Sequence, residues 1–288
     1  MFDDRTASWH WFDDPAAMRG ILARLDPARR AMETALDGLD TVDGWCCACD
    51  GWRTFSMPRP ADGSWHNLRE SFVCECGLNG RMRASLSLIR TGLERLGPST
   101  RGWLFERLTP LYGAVLRHGL PLEGSEYFGP SHRPGETVEV GDQRVRHESL
   151  LELSASDGSL DLLFHGDVLE HVPDHRRALA ECARVLRPGG LMLFTAPFFD
   201  LDEHLVRCTV VNGELVHHLP PGYHGNPLSS EGSLVFTHFG WPLFDDIVAA
   251  GFSRVRMGLV YDTVCGVVSN NNPYVEGHMW PIFFAAQR

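Results

Sequence analysis

The chain has 288 residues, 43% hydrophobic and 22% charged, a composition that excludes collagen-like, coiled-coil and disordered classes. Its 26 Lys+Arg against 37 Asp+Glu give a formal charge of −11, spread along the chain, which argues against nucleic acid as a partner. No apolar run reaches the roughly 18 residues of a membrane helix, and the first residues, Met1, Phe2, Asp3 and Asp4, carry acidic charge where a secretory signal is basic. The expectation is a cytoplasmic protein with no membrane partner.

Residues 15–39 carry Ile21, Leu22, Leu25, Leu36 and Leu39 at helical spacing, interrupted by Pro27. This predicts two short helices in an N-terminal segment spanning 1–40. Segment 41–98 is rich in Gly, Trp, Cys and Pro, and its first part has no long periodic stretch, so a bound metal would have to order it. Of the eight cysteines, Cys46, Cys47, Cys49, Cys74 and Cys76 cluster here. They are too sparse for a disulfide scaffold, but they are spaced as ligands. A C-x2-C knuckle and a tighter C-x-C pair predict a structural zinc on Cys46, Cys49, Cys74 and Cys76, with Cys47 spare or exchanging for one of them. Unligated buried cysteines are the alternative. Arg69, Arg81, Arg83 and Arg90 lie near this module, but the negative balance argues against nucleic-acid binding. Cys182, Cys208 and Cys265 are isolated and read as small buried residues.

Segment 99–288 alternates short apolar runs with helical patterns, the signature of a mostly parallel α/β sheet. Seven strands are expected: 103–105, around 124–128, 145–148, 160–165, 191–196, 255–260 and 282–285. Helices are expected at 109–118, 174–186 and 241–250. An insert, 198–240, fits neither pattern and reads as a loop-like lid. It concentrates His204, His217, His218, His224 and His238 beside Asp200, Asp202, Glu203 and Glu214, and iron or zinc binding is an alternative use. The stretch Pro220 to Pro227, with Phe236, Phe239 and Trp241, suits a lid over a partly apolar substrate or forms a small core of its own.

Within this segment, Asp157-Gly-Ser-Leu-Asp161 opens an apolar strand, Asp167-Val-Leu-Glu-His-Val172 follows it, and Leu186-Arg-Pro-Gly-Gly-Leu191 turns a helix into the next strand. In this order the three motifs resemble the S-adenosylmethionine-dependent methyltransferases with a Rossmann-like fold, in particular the group called methyltransferase type 11. The close match covers about 40 residues, with a looser strand-order match over the rest of 99–288. The resemblance implies a Rossmann-like, mostly parallel seven-stranded sheet behind the cysteine module.

Open parallel sheets bind ligands at the carboxyl ends of their strands. The resemblance makes Glu126 the acid for the cofactor ribose, with Tyr127 beside it. The family's glycine loop is missing. Phe105-Glu-Arg-Leu-Thr109 stands in its place, and Glu106, about 20 residues before Glu126, replaces the first acid and faces the methionine ammonium group, with Thr109 nearby. A helix-capping carboxylate is the other reading of Glu106. Glu148 or Ser149 would accept from the adenine amino group. For the chemistry, His165 is expected as general base, with Asp167 and His171 orienting it or lining the cleft; a strand-capping role is the alternative for His165. The expected function is methyl transfer to an oxygen or nitrogen of a small-molecule substrate, in secondary metabolism. A non-catalytic or regulatory binding protein on the same fold and a metal-dependent enzyme built on the histidine-rich insert are the competing readings. The sequence leaves the oligomeric state open.

Overall fold

A computed structural model describes residues 9–59, 66–226 and 228–288; Met1–Asp4 and Pro227, noted above, lie outside the described residues. Nine strands form the central sheet: β1 (Trp9–Phe12), β2 (Gly102–Leu104), β3 (Leu122–Glu126), β4 (Thr137–Val140), β5 (Gln143–His147), β6 (Leu160–Gly166), β7 (Leu186–Thr195), β8 (Arg254–Val260) and β9 (Ile282–Gln287). Across the sheet they run β1-β8-β9-β7-β6-β2-β3-β5-β4. The pairs β2–β3, β2–β6, β3–β5 and β6–β7 are parallel. β9 is antiparallel to both neighbours, and so are the edge strands β1 and β4 to theirs.

The seven strands expected from apolar runs are all in this sheet, and β1 and β4 enlarge it to nine. Each extra strand is four residues long, too short to show a period. β1 is held by Trp9 and Trp11, which stack 5.5 Å apart against its partner strand. β4 is the return arm of a hairpin that turns at Gly141, where φ is +56°.

Helices α1 (Pro15–Leu36), α2 (Gly80–Leu96), α3 (Pro110–Arg117), α4 (His175–Val185) and α5 (Pro242–Ala249) cover the two faces of the sheet. Side-chain alternation decides which face each residue meets. Leu163 and Phe194 join Met18 of α1, Leu179 of α4 and Ile247 of α5 in one core. Leu162, Phe164 and Leu193 join Ile89 of α2 and Val115 of α3 in the other.

The two short helices expected before residue 40 are one helix, α1, which continues through Pro27. Pro27 and Ala23 are both exposed, so the carbonyl that loses its i→i+4 donor faces water. Arg29, two residues further on, joins Asp26 and Glu33 at 2.6 Å each and ties the two halves together.

The insert is also more regular than a loop. Antiparallel pairs Cys208–Val211 with Glu214–His217 and Tyr223–Asn226 with Ser229–Leu234 form two hairpins. The first turns at Asn212 and Gly213, both at positive φ (52° and 85°), the geometry of a two-residue type I′ turn. Phe239 is fully buried in the core below it.

Candidate active site

The ends of β2, β3 and β6 meet the N-terminal module at a buried charged cluster. Glu106 follows β2 and is 6% exposed. The Thr109 hydroxyl lies 3.0 Å from the Glu106 carbonyl and 3.3 Å from Oε2, whereas Oε1 has no partner among the described residues. Burial pushes the Glu106 carboxyl up to about 7, against the opposing pull of Arg81. Arg81, from the first turn of α2, donates to Glu70 at 2.9 Å and 3.3 Å; its buried Nη1 is likewise without a partner among the described residues. A Cβ placed on Gly166 would press on Glu106 Oε1 and stand 3.3 Å from Arg81 Nη1. An unsatisfied carboxylate oxygen and an unsatisfied guanidinium nitrogen therefore flank one glycine.

Asp167 locks this arrangement. Arg69 holds its carboxylate by two bonds of 2.7 Å and 2.9 Å, and the Thr195 hydroxyl donates to it at 2.8 Å. Burial alone would raise the Asp167 carboxyl, but Arg69 and Arg81 hold it well below the usual carboxylate range. Its φ of +51° is uncommon for a non-glycine residue and is stabilised by these fork-shaped contacts. Asp167 thus positions the two arginines, a role the sequence does not show because the partners are far apart along the chain.

Glu126 ends β3 and accepts from the backbone N–H groups of Leu108 (3.3 Å) and Tyr127 (3.4 Å). Burial raises its carboxyl, and those two N–H groups pull it down. The loop from Phe105 to Thr109 thus tethers its own backbone to the acid that a glycine loop would leave free. Tyr127 is half exposed.

The comparisons with known proteins bear on this geometry. Residues 131–194 match the methyltransferase domain family. The match spans β4, β5, β6, α4 and most of β7, the stretch that carries the motif resemblance. An uncharacterised methyltransferase from Mycobacterium sp. strain KMS is 40% identical over 82 residues, 28% of this chain and 32% of that protein. A ubiquinone biosynthesis O-methyltransferase from Caulobacter vibrioides is 26% identical over 157 residues, 54% of this chain and 60% of that one. The chain thus spans about a third of the first protein's length and three fifths of the second's. Among solved structures, an S-adenosylmethionine-dependent methyltransferase from Mesorhizobium loti superposes with a TM-score of 0.43 at 16% identity, covering 72% of this chain and 98% of that one.

Within the methyltransferase match, two expected cofactor contacts are otherwise engaged. The Glu148 carboxylate accepts from Arg146 Nε at 2.7 Å, from the Ser154 backbone N–H at 2.9 Å and from the Ser154 hydroxyl. Ser149 Oγ accepts from Leu151 N at 3.2 Å. Both residues fix the loop after β5 instead of offering an open acceptor to adenine.

His165, expected as the base, lies inside the protein. It is fully buried, its ring stacks on Phe194 at 4.9 Å, and neither nitrogen has a partner among the described residues. Burial pushes the imidazole down to about 3. On β6 it points to the same face as Leu163, into the core. A ring so placed packs the sheet and cannot reach an acceptor. His165→Phe is expected to fold, to keep cofactor affinity and to become less acid-labile. The reason is that His165 takes up its proton near pH 6.5 when unfolded but only near pH 3 when folded, so its contribution to stability falls as pH drops through that window. A folded His165→Phe protein that binds cofactor but has lost methyl transfer would restore His165 to the mechanism.

The four predicted thiols do converge. Cys46 and Cys76 sulfurs lie 3.9 Å apart, as do those of Cys49 and Cys74, and all four lie within 4.8 Å of one another. Four sulfurs about 2.3 Å from a tetrahedral zinc stand about 3.8 Å apart. Cys47 stands outside the tetrad, its thiol 3.6 Å from the Arg83 carbonyl. Cys182, Cys208 and Cys265 are buried, as expected.

Of the arginines near the module, Arg69, Arg81 and Arg83 face inward, while Arg90 is exposed. Arg83 is fully buried and donates to the carbonyls of Phe72, Leu78 and Cys265, while Arg69 and Arg81 roof the cluster around Asp167. The sequence signal for them was a run of arginines in an acidic chain. What it lacked was the acids they pair with, which sit on another part of the fold.

Proposed function

We propose that the protein transfers a methyl group from S-adenosylmethionine to an oxygen or nitrogen of a small molecule. The observation that carries this reading is the pair of unsatisfied atoms, Glu106 Oε1 and Arg81 Nη1, on either side of Gly166 at the carboxyl ends of the parallel strands. They complement the ammonium and carboxylate of a methionine moiety. Glu126 at the end of β3 would take the ribose hydroxyls. When bound, the cofactor supplies an electrophilic methyl group. Arg69 and Asp167 keep Arg81 aligned, and the module roof excludes water from Glu106. His171, in the turn after β6, donates its Nδ1–H to the Leu234 carbonyl at 2.8 Å, which leaves the Nε2 lone pair available on the acceptor side of the site.

Zinc on Cys46, Cys49, Cys74 and Cys76 would order the module that carries the roof. Its sulfur spacing supports this, and its role is structural, because four thiolates leave no open position.

Calorimetric titration with S-adenosylhomocysteine tests the proposal. Saturable binding is expected, and Gly166→Ala is expected to weaken it at least about tenfold, because the added methyl intrudes between Glu106 and Arg81. No binding by the wild-type chain would overturn the reading and favour a non-catalytic use of the fold.

A further inference from the structure

The geometry points to a second metal site, and we propose that Glu170, His171 and His224 together bind one divalent transition-metal ion. One donor atom from each lies within 4.8 Å of the others. Glu170 and His171 belong to the turn that follows Asp167, and His224 comes from the second hairpin of the insert.

Three observations support a cation here. Glu170 is fully buried, and neither carboxylate oxygen has a hydrogen-bond partner among the described residues. A buried carboxylate without partners is unfavourable unless a cation approaches it. His171 donates its Nδ1–H to Leu234 O, so in the neutral ring the lone pair of Nε2 faces Glu170 Oε1 at 3.7 Å. Two lone pairs facing each other repel, and an ion between them removes the repulsion. His224 Nδ1 stands 3.5 Å from the same oxygen. These separations are too long for good hydrogen bonds, but they suit donors about 2.1 Å from one ion, which stand about 3.4 Å apart in a tetrahedron. A ligating imidazole whose other nitrogen donates to a backbone carbonyl is the usual supporting arrangement.

The neighbouring group His175, His204 and Asp246 shows the contrast. His204 Nδ1 accepts from Gly240 N at 3.2 Å, so its Nε2 carries the proton that reaches Asp246 at 3.0 Å. His175 and Arg176 fill the remaining Asp246 positions at 2.8 Å each. Every donor there has an acceptor, and a metal would have to break these bonds.

Two imidazoles and one carboxylate suit Zn2+, Fe2+ or Mn2+ and leave coordination positions open. The side chains of His171 and His224 are 17% and 32% exposed, so the open positions face outward. On the methyltransferase reading, they would take the acceptor, which assigns the substrate class as a small molecule with an ionisable hydroxyl. The ion would lower the pKa of that hydroxyl and release its proton to solvent.

Manganese separates this site from the cysteine tetrad, because thiolate sites select softer ions. Titration of the full chain, loaded with a single equivalent of zinc for the cysteine tetrad, with Mn2+ and followed by paramagnetic resonance, is expected to show one saturable ion per chain. His224→Ala, on a surface hairpin, is expected to weaken it by tenfold or more, and His217→Ala, on the other hairpin, to leave it unchanged. Absence of saturable Mn2+ binding, or unchanged affinity in His224→Ala, would overturn the site. Glu170→Gln gives the same test where it folds. S-adenosylhomocysteine titration of the same samples keeps the two proposals apart. Cofactor binding without manganese removes only the metal site, and manganese without cofactor removes the methyltransferase reading while the metal site stands.

Discussion

Glu106→Gln is expected to make the cofactor-free protein more stable at pH 8 and unable to bind S-adenosylhomocysteine. The Glu106 carboxyl rises from 4.5 to about 7 in the folded chain, burial being the main cause. A raised folded value means that the folded state binds the proton more tightly. The contribution of Glu106 to stability is therefore complete below about pH 4.5 and is lost as pH rises through 7. Above that, the ionised carboxylate opposes folding by about 3 kcal/mol, and the neutral amide removes this term. The same amide cannot accept from an ammonium group as a charge, so affinity collapses while stability grows, as at many binding sites. In the wild type, binding should weaken by about tenfold for each pH unit below 7, because the proton competes with the ammonium. Thermal unfolding and calorimetry at pH 5 to 8 check both statements. A variant that melts no higher at pH 8, or that still binds the cofactor product, would sink this assignment of Glu106.

Cys49→Ser should remove the zinc and, with it, most of the affinity for S-adenosylhomocysteine. Structural zinc contributes about 10–16 kcal/mol to the folding of small zinc-binding peptides, more than a module of this size gains from its own core. That core is small, consisting of Leu36, Phe55, Met57, Leu68, Phe72 and Val268 around two of the thiols. The consequence reaches the active site because Arg69, Glu70 and Arg81 belong to or adjoin the module. Without it, Asp167 loses its arginine partners and Glu106 loses its cover. Cys47→Ser is expected to retain about one zinc per chain and normal affinity. Full zinc content in Cys49→Ser would move the metal elsewhere, and undiminished cofactor affinity in a zinc-free variant would separate the module from the site.

The central strands were legible because Leu160-Asp-Leu-Leu-Phe and Leu191-Met-Leu-Phe are apolar runs bounded by Asp157-Gly158 and Pro188-Gly-Gly190, and a buried parallel strand has few other ways to read. The cysteine tetrad was legible from spacing alone. Helix α2 was not, because it buries Arg83, Ser85 and Gly92 alongside Leu86 and Ile89, which blurs the amphipathic period. The hairpin at Asn212-Gly213 carried a plain turn signal that the histidines around it obscured. Position along the chain was enough to nominate the acids at 106 and 126. The roof arginines could not be nominated in this way, since Arg69 and Asp167 are 98 residues apart and only the folded topology joins them. The base went to His165 because strand tips usually face the cleft, whereas alternation along β6 turns this ring into the core.

The pairing of β1 with β8 has a consequence for how the chain folds. Trp11 accepts from Arg256 across 245 residues, Leu68 donates to Asn271 across 203, and Arg83 reaches Cys265 across 182. Each contact closes a loop of most of the chain, and such closures cost entropy before any contact repays it. The N-terminal strand and the cysteine module therefore wait for β8 and the segment that follows it. During synthesis, Trp9, Trp11 and the cysteine module remain without their docking surface until β8 and β9 emerge, so the rate at which those two strands settle sets the rate at which the N-terminal edge is shielded from its neighbours.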